Sequence, residues 1–214
     1  MRGGVYVAPS RVNGHGVFAG RLFRAGERLF LLTGDELTKA QILTGGEEHA
    51  ANAYQIDDDL YIYPLNPEGR FANHSCEPNA GLWEDREMIA LRDIEAGEEI
   101  VLDYSTTMSE QHWTMGCTCA SAACRGLVGD FHELPKSLQQ RYLRLGVVQR
   151  FIVREIFERA AVAIRQGRGP SAGWSRAAAD AAGMLVAEED HRGARADRFE
   201  EVPPRAGLGV RTAH

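Results

Sequence analysis

Residues 70–79, Arg70-Phe71-Ala72-Asn73-His74-Ser75-Cys76-Glu77-Pro78-Asn79, place an amide, an imidazole and a thiol side by side. Asparagine, serine and the Pro-Asn pair are turn-forming residues, so the run alone also fits a plain surface turn. Further along, Gly97-Glu98-Glu99-Ile100-Val101-Leu102-Asp103-Tyr104 leads a short apolar strand into a tyrosine. The two runs are the first candidates for a functional site.

The cysteines form a second pattern. The chain has 4 cysteines, of which Cys117, Cys119 and Cys124 are clustered and Cys76 lies far upstream. No secretion signal is visible, so we expect thiols rather than disulfides. A set of four thiolates suits a tetrahedral structural zinc, and buried free thiols are the alternative. The spacing favours zinc.

Together these motifs resemble those of the SET-domain protein-lysine methyltransferases. Asn73 to Asn79 is similar to the family's asparagine-histidine-serine-cysteine motif, and Glu99 to Tyr104 to the segment that ends in its catalytic tyrosine. Cys117-x-Cys119-x4-Cys124-Arg125-Gly126 resembles its post-SET zinc segment, and Gly14-His15-Gly16-Val17 its short cofactor-contacting glycine motif. All four occur in the family's order and span roughly residues 4–134.

The resemblance implies a mainly β fold of the β-clip type, with small sheets around a knot-like core. Short apolar runs separated by glycine turns agree with that expectation. We predict a SET domain over residues 4–116, a post-SET zinc segment over 117–134, a C-terminal helical extension over 135–166, and a low-complexity, flexible tail over 167–214 that holds a short helix at 175–188.

The helical extension is predicted from its apolar periodicity. Apolar residues recur at helical spacing from Leu138 to Ala163, which predicts one amphipathic helix, or two helices broken near Gly146. We expect this stripe to pack on the main domain. A homodimer through the helix is the alternative.

The resemblance also assigns roles to single residues. Tyr104 is expected to be the catalytic tyrosine and Tyr54 a second tyrosine of the lysine channel, for which Tyr61 and Tyr63 compete. The expected cofactor-binding residues are Gly14, His15, Gly16, Asn73, His74, Tyr104 and Trp113, although Trp113 equally fits a position under the zinc loop. Cys76 is expected to complete one structural zinc site with Cys117, Cys119 and Cys124.

The implied chemistry is in-line methyl transfer from S-adenosylmethionine to an uncharged lysine. Such a reaction needs two reactants held in line and a dry channel that lowers the lysine pKa. In the family, the residue two before the catalytic tyrosine is often aromatic, and a hydroxyl there restricts the product to monomethyl-lysine. Leu102 occupies this position in the channel, so we predict that dimethylation or trimethylation occurs.

Composition narrows the possible partners. The net charge of −6 argues against direct nucleic-acid binding. An acidic surface would attract a basic, lysine-containing protein segment as substrate, whereas the charge by itself favours a plain role in solubility. No apolar run approaches the roughly 20 residues that span a membrane, so we expect a cytoplasmic protein, with nuclear or host-directed action left open. The alternatives are methylation of another residue such as histidine, and a catalytically silent SET-fold binding module.

Overall fold

The computed structural model describes residues 4–110 and 113–166. The predicted tail, 167–214, and its short helix at 175–188 lie outside the described residues. Within the described part of the chain, no helix combines the length and apolar character needed to span a bilayer.

The architecture is mainly β, as predicted. The strands are β1 (Val5–Pro9), β2 (His15–Ala19), β3 (Arg28–Leu31), β4 (Gly34–Leu37), β5 (Tyr54–Asp57), β6 (Leu60–Pro64), β7 (Asn73–His74), β8 (Ala80–Trp83), β9 (Glu87–Ala90), β10 (Glu99–Leu102), β11 (Met115–Gly116) and β12 (Leu127–Val128). The helices are α1 (Lys39–Thr44), α2 (Glu47–Asn52), α3 (Pro67–Phe71), α4 (Lys136–Leu145) and α5 (Arg150–Arg165), and short 3-10 helices cover Tyr104–Thr107 and Phe131–Glu133.

These strands form small sheets rather than one large one. Their orders are β1-β2-β10-β7, β3-β9-β8, β4-β6-β5 and the two-stranded β11-β12. The small sheets agree with the β-clip fold expected from the motifs.

The two motif segments lie side by side. β7 and β10 run parallel, with Val101 opposite Asn73 and Leu102 opposite His74. The pairing continues beyond the strands, because Ser75 N donates to Leu102 O at 2.9 Å and Val101 N donates to the Asn79 side chain at 2.9 Å. The end of β10 therefore delivers Tyr104 next to the segment that begins at Asn73.

The C-terminal helices pack on the domain through their own apolar cluster. Gly146 takes a left-handed conformation (φ 71°), which ends α4 and turns the chain toward α5. The apolar faces of both helices bury against β9 and the Phe131 helix; this cluster contains Ile89, Leu91, Phe131, Leu134, Tyr142, Leu143, Leu145, Val147, Val148, Phe151, Ile152 and Val153. The apolar stripe is thus covered within the chain.

Candidate active site

Two tyrosine hydroxyls hydrogen-bond to the same short stretch of backbone. Tyr54 in β5 donates its hydroxyl to the carbonyl of Gly69 at 2.9 Å. Tyr104, two residues after the end of β10, donates to the carbonyl of Ala72 at 2.9 Å. Because each proton is used in this way, the lone pairs of both phenol oxygens remain free to accept hydrogen bonds.

Both tyrosines line one cavity of about 360 Å³. Its wall combines apolar groups of α1 and α2 with residues near the tyrosines: Ile42, Leu43, Ala50, Ala51, Ala53, Gln55, Tyr61, Gly69, Ala72, Thr107, Met108 and Trp113. A largely apolar cavity with a few directed polar atoms is the usual form of a binding site.

Burial keeps the tyrosine hydroxyls neutral. Desolvation, with a smaller contribution from Glu99, raises the pKa of Tyr104 to about 12. Desolvation and the nearby Tyr104 likewise raise the pKa of Tyr54. Both groups therefore act as neutral hydrogen-bonding groups at physiological pH, not as phenolates.

The Asn73 side chain connects the motif to the glycine segment. Its amide nitrogen donates to the carbonyl of His15 at 2.9 Å and to Glu99 Oε1 at 2.8 Å. Glu99 also accepts from the hydroxyl of Ser10 at 2.7 Å. The structure thus brings the predicted Asn73 and His15 together and adds Glu99, which the sequence analysis had placed only within a strand.

The two glycines of the motif are needed for different reasons. Gly14 has a positive φ of 44°, and a Cβ there would meet nothing within 4 Å, so the backbone faces open space. At Gly16 a Cβ would lie 2.2 Å from Glu99 Oε1. A side chain at this position would displace the carboxylate that holds Asn73.

His74 is buried and links Tyr104 to a cysteine. Its Nδ1 accepts a hydrogen bond from the backbone N–H of Tyr104 at 3.2 Å, and its Nε2 lies 3.4 Å from Cys76 Sγ. Desolvation, opposed by Asp103, lowers the pKa of His74 to about 4. The ring is therefore neutral, with its one proton on Nε2 and directed at the sulfur.

The 4 cysteines converge on one point. The Sγ atoms of Cys76, Cys117, Cys119 and Cys124 all lie within 4.8 Å of one another, and Cys76 Sγ is 3.7 Å from Cys117 Sγ. Sulfurs of a tetrahedral Zn–S4 centre, with bonds of about 2.3 Å, are separated by about 3.8 Å. The backbone N–H of Arg125 also donates to Cys76 Sγ at 3.3 Å, a contact that favours a thiolate. The donor set and its spacing fit one zinc ion.

A buried carboxylate adjoins Tyr104. Asp103 is 1% exposed and accepts a bidentate pair from Arg125 at 2.7 and 2.8 Å. The hydroxyl of Tyr142 in α4 donates to the same carboxylate at 3.0 Å. The Asp103 side chain thus connects the segment around Tyr104 to the cysteine segment, through Arg125, and to the C-terminal extension, through Tyr142.

The two remaining predicted site residues, Trp113 and Leu102, differ in their position relative to the cavity. Trp113 lines the cavity that holds both tyrosines, and its expected cofactor contact stays a prediction. Leu102 is 0% exposed and packs in the core rather than on the cavity wall. Its expected place in the lysine channel stays a prediction.

Comparison with known proteins agrees with this geometry. Residues 14–105 match the SET domain family model. The chain is 32% identical over 158 residues to histone-lysine N-methyltransferase TRX1 of Oryza sativa subsp. japonica, covering 65% of this chain and 15% of that protein. It is 36% identical over 81 residues to histone-lysine N-methyltransferase ash1 of Drosophila melanogaster, covering 35% of this chain and 4% of that protein.

The fold, the site and the family match agree that residues 14–105 form a SET domain. These residues include the glycine motif, Asn73, His74, Cys76 and Tyr104. The chain spans only a small fraction of the length of these relatives, 15% for TRX1.

Proposed function

We propose that this protein transfers methyl groups from S-adenosylmethionine to lysine side chains of another protein. The observation that carries the proposal is the pair of tyrosines, Tyr54 and Tyr104, which line one largely apolar cavity and whose hydroxyl oxygens keep lone pairs that can accept hydrogen bonds. The two relatives described above are both named histone-lysine N-methyltransferases, which supports the same reaction class.

The tyrosines would orient the incoming amine. A neutral lysine nitrogen has two N–H donors, which match the free acceptors on the two phenol oxygens, and its lone pair would then point away from them. The apolar wall disfavours an ammonium and so lowers the lysine pKa, which supplies the uncharged nucleophile. Holding the amine in one orientation removes part of the entropic cost of the transition state.

The residues around Asn73 fit S-adenosylmethionine. When bound, this cofactor supplies a methyl group already activated by a sulfonium. The open backbone at Gly14 permits close approach. Both side-chain N–H groups of Asn73 bond to His15 and Glu99, so its amide oxygen is the atom that would accept from the ammonium of the methionyl part. The surrounding acceptors, the carbonyl of His15 and the carboxylate of Glu99, favour a cation. Tyr104 lies between this cluster and the cavity, because it bonds to Ala72, the residue before Asn73.

We further propose a basic protein segment as the substrate. Two carboxylates, Glu47 and Glu110, line the cavity. The cavity also has two cationic lining residues, Arg70 and Lys39. Arg70 pairs with Glu48 at 2.5 Å, so Lys39 is the cation that remains to balance the two carboxylates. The net charge of −6 favours the same kind of partner. The cytoplasmic location and the homodimer stay predictions.

The test is methyl transfer to a proteome that lacks this protein. Purified protein is incubated with that proteome and labelled S-adenosylmethionine, and the methylated residues are located by mass spectrometry. We expect label on lysine with the wild type and a loss of at least tenfold with Tyr104→Phe, which keeps the ring but removes the hydroxyl.

Tyr63→Phe is the matched control. Tyr63 is also a buried tyrosine, but its hydroxyl donates to Glu48 at 3.2 Å, and Tyr63 is not among the residues that line the cavity. It should retain wild-type labelling. Label on histidine, or equal labelling by wild type and Tyr104→Phe, would contradict the proposal.

A further inference from the structure

The C-terminal extension reaches the back of both tyrosine-bearing segments at a single residue. Gln149 lies directly before α5 and is 1% exposed. Its backbone N–H donates to the carbonyl of Thr106 at 3.1 Å, within the 3-10 helix that begins at Tyr104. Its side-chain amide donates to the carbonyl of Gln55 at 3.1 Å, the residue after Tyr54.

Gln149 is itself held firmly in place. Its carbonyl accepts from the backbone N–H of Val153 at 3.2 Å, which closes the first turn of α5. Helix α5 is fixed on the domain by Arg150, which donates to Asp85 at 2.7 Å, and by Arg154, which pairs with Asp57 at the end of β5. The donor groups of Gln149 are therefore attached to a rigid element.

The side-chain amide of Gln149 has a free-energy cost that an apolar side chain at the same position would not have. Its Oε1 is the one buried side-chain oxygen or nitrogen without a hydrogen-bond partner among the residues that the structure describes. An apolar side chain would fill the same space without leaving a polar atom unpaired. What the amide adds is the bond to Gln55, so that one residue is bonded both to β5 and to the Tyr104 helix.

We propose that Gln149 is a positioning residue that fixes the distance between the hydroxyls of Tyr54 and Tyr104. This inference rests on the proposed function, because the two hydroxyls matter as a pair only if they orient one amine. It also assigns the C-terminal extension a direct part in shaping the site, in addition to covering the core.

The test compares Gln149→Leu with Val153→Ala. Leucine keeps the bulk of residue 149 and its backbone bond to Thr106, but leaves the Gln55 carbonyl without its donor. Since the variant exchanges one unpaired buried oxygen for another, the melting temperature should change little. Val153 is 0% exposed in the same helix and belongs to the apolar cluster, so Val153→Ala should lower the melting temperature.

For the positioning role we expect kcat to fall about tenfold in Gln149→Leu with KM nearly unchanged, because small misplacements of aligned groups are costly. Val153→Ala, assayed well below its melting temperature, should keep its kcat. A structural role alone would make activity follow stability in both variants. That result would overturn the proposal.

A second readout does not depend on catalysis. The protein contains 6 tyrosines and can be labelled with 3-fluorotyrosine, with the Tyr54 and Tyr104 resonances assigned through phenylalanine variants. Gln149→Leu should shift the Tyr54 resonance, whereas Val153→Ala should not. An unchanged Tyr54 resonance in Gln149→Leu would overturn the positioning role, whether or not the wild type is active. An inactive wild type would count only against the proposed function.

Discussion

The imidazole Nε2 of His74 lies 3.4 Å from the sulfur of Cys76, while its Nδ1 accepts the backbone N–H of Tyr104. A single buried ring thus connects the cysteine cluster to the tyrosine of the candidate active site. Two predictions about metal binding follow from this connection.

The first prediction concerns zinc content. Metal analysis should give about one zinc per chain, since the cluster supplies a single set of four thiolates. Cys76→Ser should weaken zinc binding as much as Cys119→Ser, although Cys76 lies far from the others in sequence. Unchanged zinc affinity in Cys76→Ser would remove Cys76 from the ligand set.

The second prediction concerns removal of zinc. Chelation should lower affinity for S-adenosylmethionine before it unfolds the domain, because His74 and Arg125 each contact both the cysteine cluster and the residues beside the site. Calorimetric titration of the cofactor, alongside near-ultraviolet circular dichroism, separates the two effects. Loss of cofactor binding only together with global unfolding would count against the connection.

The third prediction concerns the buried carboxylate. Tyr142→Phe removes a hydroxyl that donates to Asp103 at 3.0 Å, and a hydrogen bond to a charged group contributes about 1.5–3 kcal/mol. Asp103→Ala should cost more, roughly 3–5 kcal/mol, since it leaves the Arg125 guanidinium partly buried and unpaired. Denaturant unfolding measures both values. Equal losses would mean that Arg125 finds another partner.

The fourth prediction concerns the degree of methylation. Leu102 carries no hydroxyl that could anchor a water beside the amine, so the reaction should proceed beyond one methyl group. Mass spectrometry of an exhaustively methylated substrate should show dimethyl- or trimethyl-lysine. A product that stops at monomethyl-lysine would show that some other group limits the reaction.

The fifth prediction concerns pH. Burial raises the pKa of Tyr104 from 10.0 to about 12, so its hydroxyl stays neutral throughout the usual assay range. With substrate well below its KM, rates should rise up to about pH 10, because the free lysine, with a reference pKa of about 10.4, loses its proton over this range.

The same shift affects stability at alkaline pH. The folded state retains the Tyr104 proton at a pH where the unfolded chain has lost it. The stabilising contribution is therefore complete below pH 10 and disappears as the pH rises toward 12. Thermal unfolding between pH 9 and about 11.5 would reveal this loss. A decline in rate centred near pH 10 with no loss of stability would contradict the raised pKa of Tyr104.

Local motifs made much of the site predictable. Asn73, His74, Cys76 and Tyr104 lie within two short segments whose residue types are informative by themselves, and the apolar periodicity around Gly146 placed the C-terminal helices. Tyr54 could be suggested only through the family resemblance, because a tyrosine at a strand end is usually an ordinary packing residue.

The remaining site residues required the tertiary structure. In the sequence, Glu99 has the pattern of an exposed strand residue. In the fold, Asn73, Gly16 and Ser10 lie around its carboxylate. Gln149 and Tyr142 act over 94 and 39 residues of sequence. A polar residue in an amphipathic helix gives no sign of such a distant partner.

The long reach of Gln149 has a consequence for the order in which the molecule matures. Synthesis runs from the N-terminus, and early domains generally fold first. Here the first-made strands carry Tyr54, yet the donor to the neighbouring Gln55 carbonyl is 94 residues further along the chain. The distance between the two tyrosine hydroxyls would therefore be fixed only after the last described helix has been synthesised and has packed on the domain. A nascent or C-terminally truncated chain should carry every motif residue and still be inactive.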